Sequence, residues 1–206
     1  MVKAKLFVEG GGDSKSLRVE CKKGFRLFLE KAGLQGSMIR IVASGSRRSA
    51  YEDYCTAINN GEAAFLLVDS EAPVAPQSGE FQNWNPWVHL SAREGDKWSK
   101  PKNASNTDCH LMVQFMETWL IADVSALKKY YVVNFNENAL PKNDNIEALS
   151  KSKITEALKT ATRGTTKGSY DKGKDSFKIL AEVNPEEVAK QSQWTKRFIE
   201  LIKVRP

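Results

Sequence analysis

Apolar residues in the first seventy positions fall into short uninterrupted runs that alternate with segments of helical periodicity. The runs predict three strands, over Ala4–Val8, Met38–Ser44 and Ala63–Asp69. Between them, apolar positions recur at helical spacing over 17–29 and again over 46–61, which predicts two helices that each bury one face. The predicted order of elements is therefore β-α-β-α-β, which is typical of a parallel sheet covered by helices.

The rest of the chain begins with a loop and ends in helices. Residues 72–86 carry Pro, Gly, Ser, Gln and Asn without a period and are predicted to form a loop, and Trp87–Ser91 are a candidate fourth strand. Cys109–Tyr131 predict a strand-like entry followed by a helix that packs on the sheet. The patterns beyond Val132 are helical, apart from one basic loop, and thin in apolar residues, so we predict an extension rather than an independent domain.

Length and composition set the broad class. A chain of 206 residues with 41% hydrophobic and 27% charged residues is typical of a soluble globular protein. The longest apolar runs, "AAFLLV" and "WLIA", fall far short of the roughly 18 residues that a membrane-spanning helix needs. The N-terminal residues show no secretory signal. We therefore expect a cytoplasmic protein without a membrane partner, with an α/β fold whose parallel sheet is flanked by helices and followed by an α-helical C-terminal extension.

Charge and cysteine content narrow the chemistry only slightly. The chain has 31 Lys and Arg against 25 Asp and Glu, and the net charge of +6 is compatible with a polyanionic partner without requiring one. Cys21, Cys55 and Cys109 are odd in number and widely spaced. This pattern favours buried, reduced thiols over disulfides or a zinc site.

Acidic residues stand where two of the predicted strands end. Glu9 follows the first strand, Asp69 ends the third, and Glu71 comes two residues later. Because side chains at the carboxyl ends of adjacent parallel strands converge on one crevice, we expect these carboxylates to lie close together. Like charges at that distance repel unless a divalent cation coordinates them, and Mg²⁺ suits carboxylates and phosphate oxygens. The sequence therefore predicts a magnesium site.

The residues around these acids resemble a known family. Glu9 within "LFVEGGGD" and the pair Asp69 and Glu71 within "LLVDSE" are similar to the Toprim signature, a strand-borne Glu followed by a strand-borne Asp-x-Asp. More closely, "FVEGGGDS", "LLVDSE" and "HLMVQFMETWLIAD" resemble an uncharacterised bacterial Toprim-like family that is often encoded beside an ABC-type ATPase in apparent defence systems. The resemblance predicts a Toprim-like α/β domain over residues 1–123 and a helical extension packed on it over 124–206.

The resemblance implies a function and roles for the acids. It implies cutting, nicking or transfer at a nucleic acid phosphodiester that depends on Mg²⁺ or Mn²⁺, as in topoisomerases, primases and overcoming-lysogenization-defect nucleases, with an ABC-type ATPase as a partner. Glu9 would be the general acid or base, and Asp69 and Glu71 would hold metal. The wider pattern has Asp at the position of Glu71, so the longer side chain makes the position of the metal less certain. No tyrosine can be assigned as nucleophile, so water is the expected attacker, in a two-metal hydrolysis.

Further residues are candidates for the same site. Asp13 and Glu117 could supply additional metal ligands, although acids near a helix N-terminus are also stabilised without metal. The backbone of Gly10 and Gly11 could approach a phosphate. Phosphate contacts are also expected from Arg47 and Arg48 after the second strand, and from the basic loop at 163–175, in which Tyr170 could stack on a base. The members of that loop in the expected interface are Lys167, Tyr170 and Lys172.

Other interpretations of the same residues stay open. Glu9 and Asp13 could simply cap the first helix while Asp69 starts a loop, and the basic loop could be an ordinary solvated segment. The chain could also be a non-catalytic module that binds nucleic acid or a protein. A nucleotide-binding enzyme that uses "GGGDS" as a phosphate cradle is disfavoured, because the segment lacks the GxxxxGK[ST] spacing. The sequence leaves the oligomeric state open.

Overall fold

The computed structural model describes residues 4–35, 39–142 and 144–204, and its centre is a four-stranded sheet. All neighbouring strands are parallel, in the order β2-β1-β3-β4. This arrangement, flanked by helices, confirms the expected α/β class and is consistent with a Toprim-like fold. The strands are β1 (Lys5–Gly11), β2 (Arg40–Gly45), β3 (Ala64–Asp69) and β4 (Cys109–Met112).

The three strands predicted from apolar runs are present, with shifted ends. Met38 lies outside the described residues, and β2 begins at Arg40. β1 continues beyond Val8 to Gly11, where its register with β2 becomes irregular, so Glu9 lies inside the strand rather than at its end. Every residue of β3 is buried, because side chains of a central strand are covered on both faces of the sheet.

Nine α-helices surround this sheet in the described part of the chain. A π-helical turn at Glu30–Leu34 follows the first of them. The helices are α1 (Lys15–Leu29), α2 (Arg47–Asn59), α3 (Pro86–Ala92), α4 (Glu117–Ala122), α5 (Val124–Tyr131), α6 (Lys151–Thr162), α7 (Lys172–Leu180), α8 (Pro185–Gln191) and α9 (Gln193–Lys203).

The candidate fourth strand at Trp87–Ser91 was wrong, because this segment lies within α3. Asn85 caps the helix by accepting a hydrogen bond from the backbone N–H of Trp87, and Pro86 occupies the first turn. Trp87 and Leu90 lie on the buried side of the helix, while Val88 is exposed. The apolar pattern of so short a segment fits a strand and a helix equally well. The preceding Asn-Pro sequence is a helix start signal, and it favours the helix.

The two faces of the sheet bury two separate apolar clusters. One contains Phe7, Leu66 and Val68 of the sheet together with α2 and α3. The other contains Leu6 and Val8 with α1 and side chains from every helix from α4 to α9. The C-terminal helices therefore supply much of the larger core, although their apolar content in the sequence is thin.

The state of the cysteines and the length of the helices bear on two expectations from the sequence, reduced thiols and the lack of a membrane-spanning helix. Cys21, Cys55 and Cys109 are free thiols, of which Cys21 and Cys109 are buried and Cys55 is half-buried. Across the described ranges, no helix combines the length and the apolar character that crossing a membrane requires.

Candidate metal centre at the carboxyl ends of β1 and β3

The candidate site lies where the chain direction across the sheet changes. The connection from β1 leads through α1 to β2 on one side, and β3 is followed by β4 on the other. In open α/β sheets, the crevice at such a switch point is the preferred position for a ligand. Glu9 and Asp69 come from the two strands that border this crevice.

Three carboxylates meet in the crevice. Glu9, Asp69 and Glu71 each offer an oxygen, and these oxygens all lie within 4.8 Å of one another. Asp69 is 3% exposed, and the side chains of Glu9 and Glu71 are 23% and 28% exposed. Among the described residues, neither Oε2 of Glu9 nor Oδ1 of Asp69 has a hydrogen-bond partner. Buried polar oxygens without hydrogen-bond partners are rare in folded proteins. Oε2 of Glu9 has a cation nearby, Nε of Arg47 at 4.0 Å, so Oδ1 of Asp69 is the more isolated of the two.

The electrostatics of the group follow from burial and repulsion. Burial raises the pKa of Glu9, and the charge of Glu71 raises it further, against the opposing charge of Lys172. Burial also raises the pKa of Asp69 well above its usual value, with an added contribution from the charge of Glu9. Burial acts on Glu71 in the same direction, but the hydrogen bond and charge of Lys151 outweigh it and leave the pKa of Glu71 below its usual value.

The backbone holds Glu71 in an unusual conformation. The N–H of Ser70 donates to the carbonyl of Met112 at 2.9 Å, and the N–H of Glu71 donates to the carbonyl of Gln114 at 2.8 Å. Glu71 has a φ of 65°, in the left-handed region that non-glycine residues seldom adopt. Such strain persists when surrounding contacts over-determine the backbone, and it clusters at functional sites.

Arg47 is a structural part of the site, and the phosphate contact expected from the sequence stays a prediction. Its Nε donates to the backbone oxygen of Asp69 at 2.8 Å, and its Nη1 pairs with the carboxylate of Asp96. Arg93 also pairs with Asp96, at 3.0 Å. The guanidinium lies 4.4 Å from the ring centroid of Trp98, and its side chain is only 11% exposed. Nε of Arg47 also lies 4.0 Å from Oε2 of Glu9, whereas its Nη2 has no hydrogen-bond partner among the described residues.

Two lysines of the C-terminal helices lie beside the acids. Lys151, the first residue of α6, pairs with Glu71. Lys172, the first residue of α7, lies 3.4 Å from each carboxylate oxygen of Glu117. Burial opposes the charge of Lys172, but Glu117, Asp69 and Glu9 together raise its pKa above the usual value. The sequence placed Lys172 in a flexible loop, whereas the structure places it in a helix beside the acids.

The two additional metal ligands expected from the sequence lie outside the cluster. Asp13 is exposed, and Ser14, not Asp13, caps α1. Glu117 is 2% exposed, and its Oε1 accepts a hydrogen bond from the hydroxyl of Tyr170 at 3.0 Å. Its charge nevertheless raises the pKa of Asp69, so Glu117 acts on the site at a distance.

Tyr170 is not the exposed base-stacking residue that the basic loop suggested. Its ring is 5% exposed, because it packs in the larger core and its hydroxyl is held by Glu117. Lys167 is exposed, and its ammonium lies 4.5 Å from the ring centroid of Tyr130. The basic segment therefore divides into an exposed part and a part that belongs to the core and to α7.

Gly10 and Gly11 have a packing role of their own. A Cβ on Gly10 would lie 2.7 Å from Cζ of Phe177, and one on Gly11 would lie 2.8 Å from Cα of Arg18. Both have positive φ angles, of 136° and 88°. These contacts account for both glycines through the close approach of β1 to α1 and α7.

A cavity of about 410 Å³ borders the acids on the side of α2. Arg48 is at its rim, where it is 81% exposed and pairs with Glu52 at 2.8 Å. Sequence patterns did not predict this cavity or the part that Arg93, Asp96 and Lys151 have in the site. The one signal near Lys151 is Ser150, a residue type that caps helices and does so here for α6. The residues that line it are Arg47, Arg48, Tyr51, Glu52, Glu71, Arg93, Gly95, Asp96 and Trp98.

The donor set fits a hard divalent cation. Carboxylate oxygens are the ligands that Mg²⁺ and Mn²⁺ prefer, and the unpartnered Oδ1 of Asp69 is a buried oxygen that such an ion would satisfy. Glu71 already pairs with the ammonium group of Lys151, so a metal ion there would compete with this lysine.

Comparison with known proteins gives one family. A family model described as "Domain of unknown function (DUF4276)" matches residues 8–203, a span that includes the three acids of the cluster and both lysines. The comparisons with curated proteins and with solved structures returned no match.

Proposed function

The chain belongs to the DUF4276 family, a domain of unknown function, and we propose that it is a nuclease or phosphotransferase that acts on nucleic acid phosphodiesters with Mg²⁺ or Mn²⁺. The observation that carries the proposal is the convergence of Glu9, Asp69 and Glu71 within 4.8 Å, with Oδ1 of Asp69 buried and without a partner. The resemblance of these acids to the Toprim signature supports the same reaction class.

In the proposed site, Asp69 and Glu71 would hold the metal, and Glu9 would act as the general acid or base. When bound, the cation would supply Lewis-acid stabilisation of the phosphoryl oxygens. Burial raises the pKa of Glu9, which suits a group that must exchange a proton near neutral pH. Glu9 would take a proton from the attacking water as the new bond to phosphorus forms, and the leaving oxygen would take a proton from solvent as the ester bond breaks. Arg47 keeps Asp69 in position through the backbone bond at 2.8 Å.

The proposal includes a partner. The resemblance places members of the bacterial Toprim-like family beside ABC-type ATPases. We propose that such an ATPase delivers the substrate, in a defence or DNA-processing system.

The test is cleavage of plasmid DNA and of single-stranded DNA and RNA in Mg²⁺ or Mn²⁺, by the protein alone and with a co-expressed ATPase. We expect Glu9→Gln and Asp69→Asn to abolish cleavage. Asp13→Asn is the matched control, because Asp13 is an exposed acid close to Glu9 in sequence and outside the cluster. Cleavage that survives the first two changes would remove the assigned site.

The second candidate function is a non-catalytic binding module. The favouring observation is that Lys151 and Lys172 already supply positive charge to the acid cluster in the absence of a metal. Calorimetric titration with Mn²⁺ separates the two. Nucleic acid binding without Mn²⁺ affinity in the millimolar range or better would favour the module.

A further inference from the structure

Lys151 and Lys172 occupy equivalent positions in two different helices. Each is the first residue of its helix, directly after a side-chain cap from Ser150 or Asp171. Helix N-termini carry partial positive charge, so each ammonium group adds to a positive helix end. Both helices belong to the C-terminal part of the chain, yet both begin at the acids of β1 and β3.

The ring of Phe115 lies close to both ammonium groups. Nζ of Lys151 is 5.2 Å and Nζ of Lys172 is 5.9 Å from its ring centroid. Phe115 itself is 6% exposed, so its ring forms a floor beneath the lysines. The lysine side chains are more open, with 32% of Lys151 and 61% of Lys172 exposed. Both ammonium groups therefore lie within 6 Å of one ring centroid on partly open side chains, so they are at most about 12 Å apart, a span that two phosphates of one strand can match.

Both lysines hold acids that belong to the site or influence it. Lys151 pairs with Glu71, one of the three clustered carboxylates, and Lys172 lies next to Glu117 and acts on Asp69 and Glu9. A cation bound by Glu71 competes with Lys151 for the same carboxylate. Lysine is a flexible, strongly hydrated point charge, so it can change partners where the buried Arg47 cannot.

We propose that Lys151 and Lys172 form a phosphate clamp that metal binding releases. This rests on the proposed function, because it assigns the metal to Glu71. A metal ion taken up by the acids frees Lys151 from Glu71 and weakens the attraction between Lys172 and the cluster. The two ammonium groups then bind the phosphates that flank the scissile bond, above the ring of Phe115. The C-terminal helices thus supply substrate binding to a metal site built by the sheet.

The experiment measures binding of a fluorescent single-stranded oligonucleotide in Ca²⁺, over a series of salt concentrations. We expect Lys151→Ala and Lys172→Ala each to weaken binding about fivefold to tenfold and to reduce the slope of log K against log salt by about one unit. Lys153→Ala and Lys174→Ala are the matched controls, because both are exposed lysines two residues further along the same helices. Salt slopes equal to those of the controls would overturn the clamp.

A Mn²⁺ titration of the same variants tests the release step and separates this inference from the proposed function. We expect Lys151→Ala to bind Mn²⁺ at least as tightly as the wild type, because the competing cation is removed. Weaker Mn²⁺ binding in that variant would overturn the release. If the wild type itself binds no Mn²⁺, the proposed metal site and the release fail together, whereas a wild type that binds Mn²⁺ with lysine-independent oligonucleotide binding loses only the clamp.

Discussion

Nε of Arg47 donates a hydrogen bond to the backbone oxygen of Asp69 at 2.8 Å, which ties the first residue of α2 to the last residue of β3. The same guanidinium pairs with Asp96 and covers the ring of Trp98. A planar group with several donors can satisfy these partners together, whereas an ammonium group cannot. The position of the three clustered carboxylates therefore depends on Arg47, which is not one of them.

Replacement of Arg47 by Lys should disturb the site. We expect Arg47→Lys to lower the free energy of unfolding by about 2 kcal/mol, because Asp96 loses part of its buried pairing. Mn²⁺ affinity should fall with it, because the end of β3 is less well fixed. Arg48→Lys, at an exposed neighbour paired only with Glu52 among the described residues, should change stability by less than about 0.5 kcal/mol. Urea unfolding and Mn²⁺ titration measure both effects, and equal behaviour of the two variants would contradict the assignment.

When no metal is bound, the ionised carboxylate of Asp69 should lower the free energy of unfolding. Its pKa is raised in the folded state by burial and by Glu9, so the folded protein binds this proton more tightly than the unfolded chain does. The free energy of unfolding contributed by Asp69 is therefore greatest at pH values below its ordinary pKa and decreases as the pH rises through the interval up to the raised pKa. Asp69→Asn removes that decrease.

The measurement is urea unfolding in a chelator over a pH series. We expect Asp69→Asn to be more stable than the wild type near neutral pH by about 1–3 kcal/mol, and the difference to vanish in acid. Added Mg²⁺ should then stabilise the wild type and leave the variant unchanged, because only the wild type binds the ion. A variant less stable than the wild type in chelator would contradict this account.

The backbone of Glu71 gives a separate test of strain at the site. Its φ of 65° suits glycine or asparagine better than alanine. We expect Glu71→Gly and Glu71→Asn to be more stable than Glu71→Ala by about 1 kcal/mol, as judged by thermal unfolding. All three variants should lose Mn²⁺ affinity, because the carboxylate is gone. Equal stability of the three would show that this conformation relaxes without cost.

Tyr170 should matter for stability rather than for stacking on bases. Tyr170→Phe removes the hydrogen bond to Glu117, which is 2% exposed, and should lower the free energy of unfolding by about 1–3 kcal/mol. Tyr51→Phe is the control, because the hydroxyl of Tyr51 donates to the backbone of Ser99 near solvent and should contribute less. Equal losses of stability in Tyr170→Phe and Tyr51→Phe would contradict this role of the Tyr170 hydroxyl.

The contact between α1 and α7 depends on a glycine. A Cβ on Gly24 would lie 2.7 Å from the backbone oxygen of Phe177, so Gly24→Ala must move one helix away from the other. We expect a loss of about 1–3 kcal/mol in the free energy of unfolding, despite the better helix propensity of alanine. Gly173→Ala is the matched helical control, because its Cβ would meet only Oδ1 of Asp171 at 3.4 Å. Because α7 carries Lys172, oligonucleotide binding should weaken in Gly24→Ala alone.

The sequence alone predicted the first three strands of the sheet and which acids border its carboxyl edge, but it also suggested a strand at Trp87–Ser91, which lies in α3. Strand and helix patterns are local, since burial of one face or both faces repeats with a fixed period, and parallel strands bring their ends to one edge. This is why Glu9, Asp69 and Glu71 could be predicted to meet, and why α1 and α2 were predicted near their positions.

Tertiary structure decided which cations face those acids. Lys151 pairs with Glu71 across 80 positions of sequence, and Arg47 joins Asp69 and Asp96 from a third segment. No period along the chain encodes such pairs, because a lysine at a helix start has the same local pattern whether it faces water or a carboxylate. The inward turn of Tyr170 has the same cause: only the folded core places the buried Glu117 within reach of its hydroxyl.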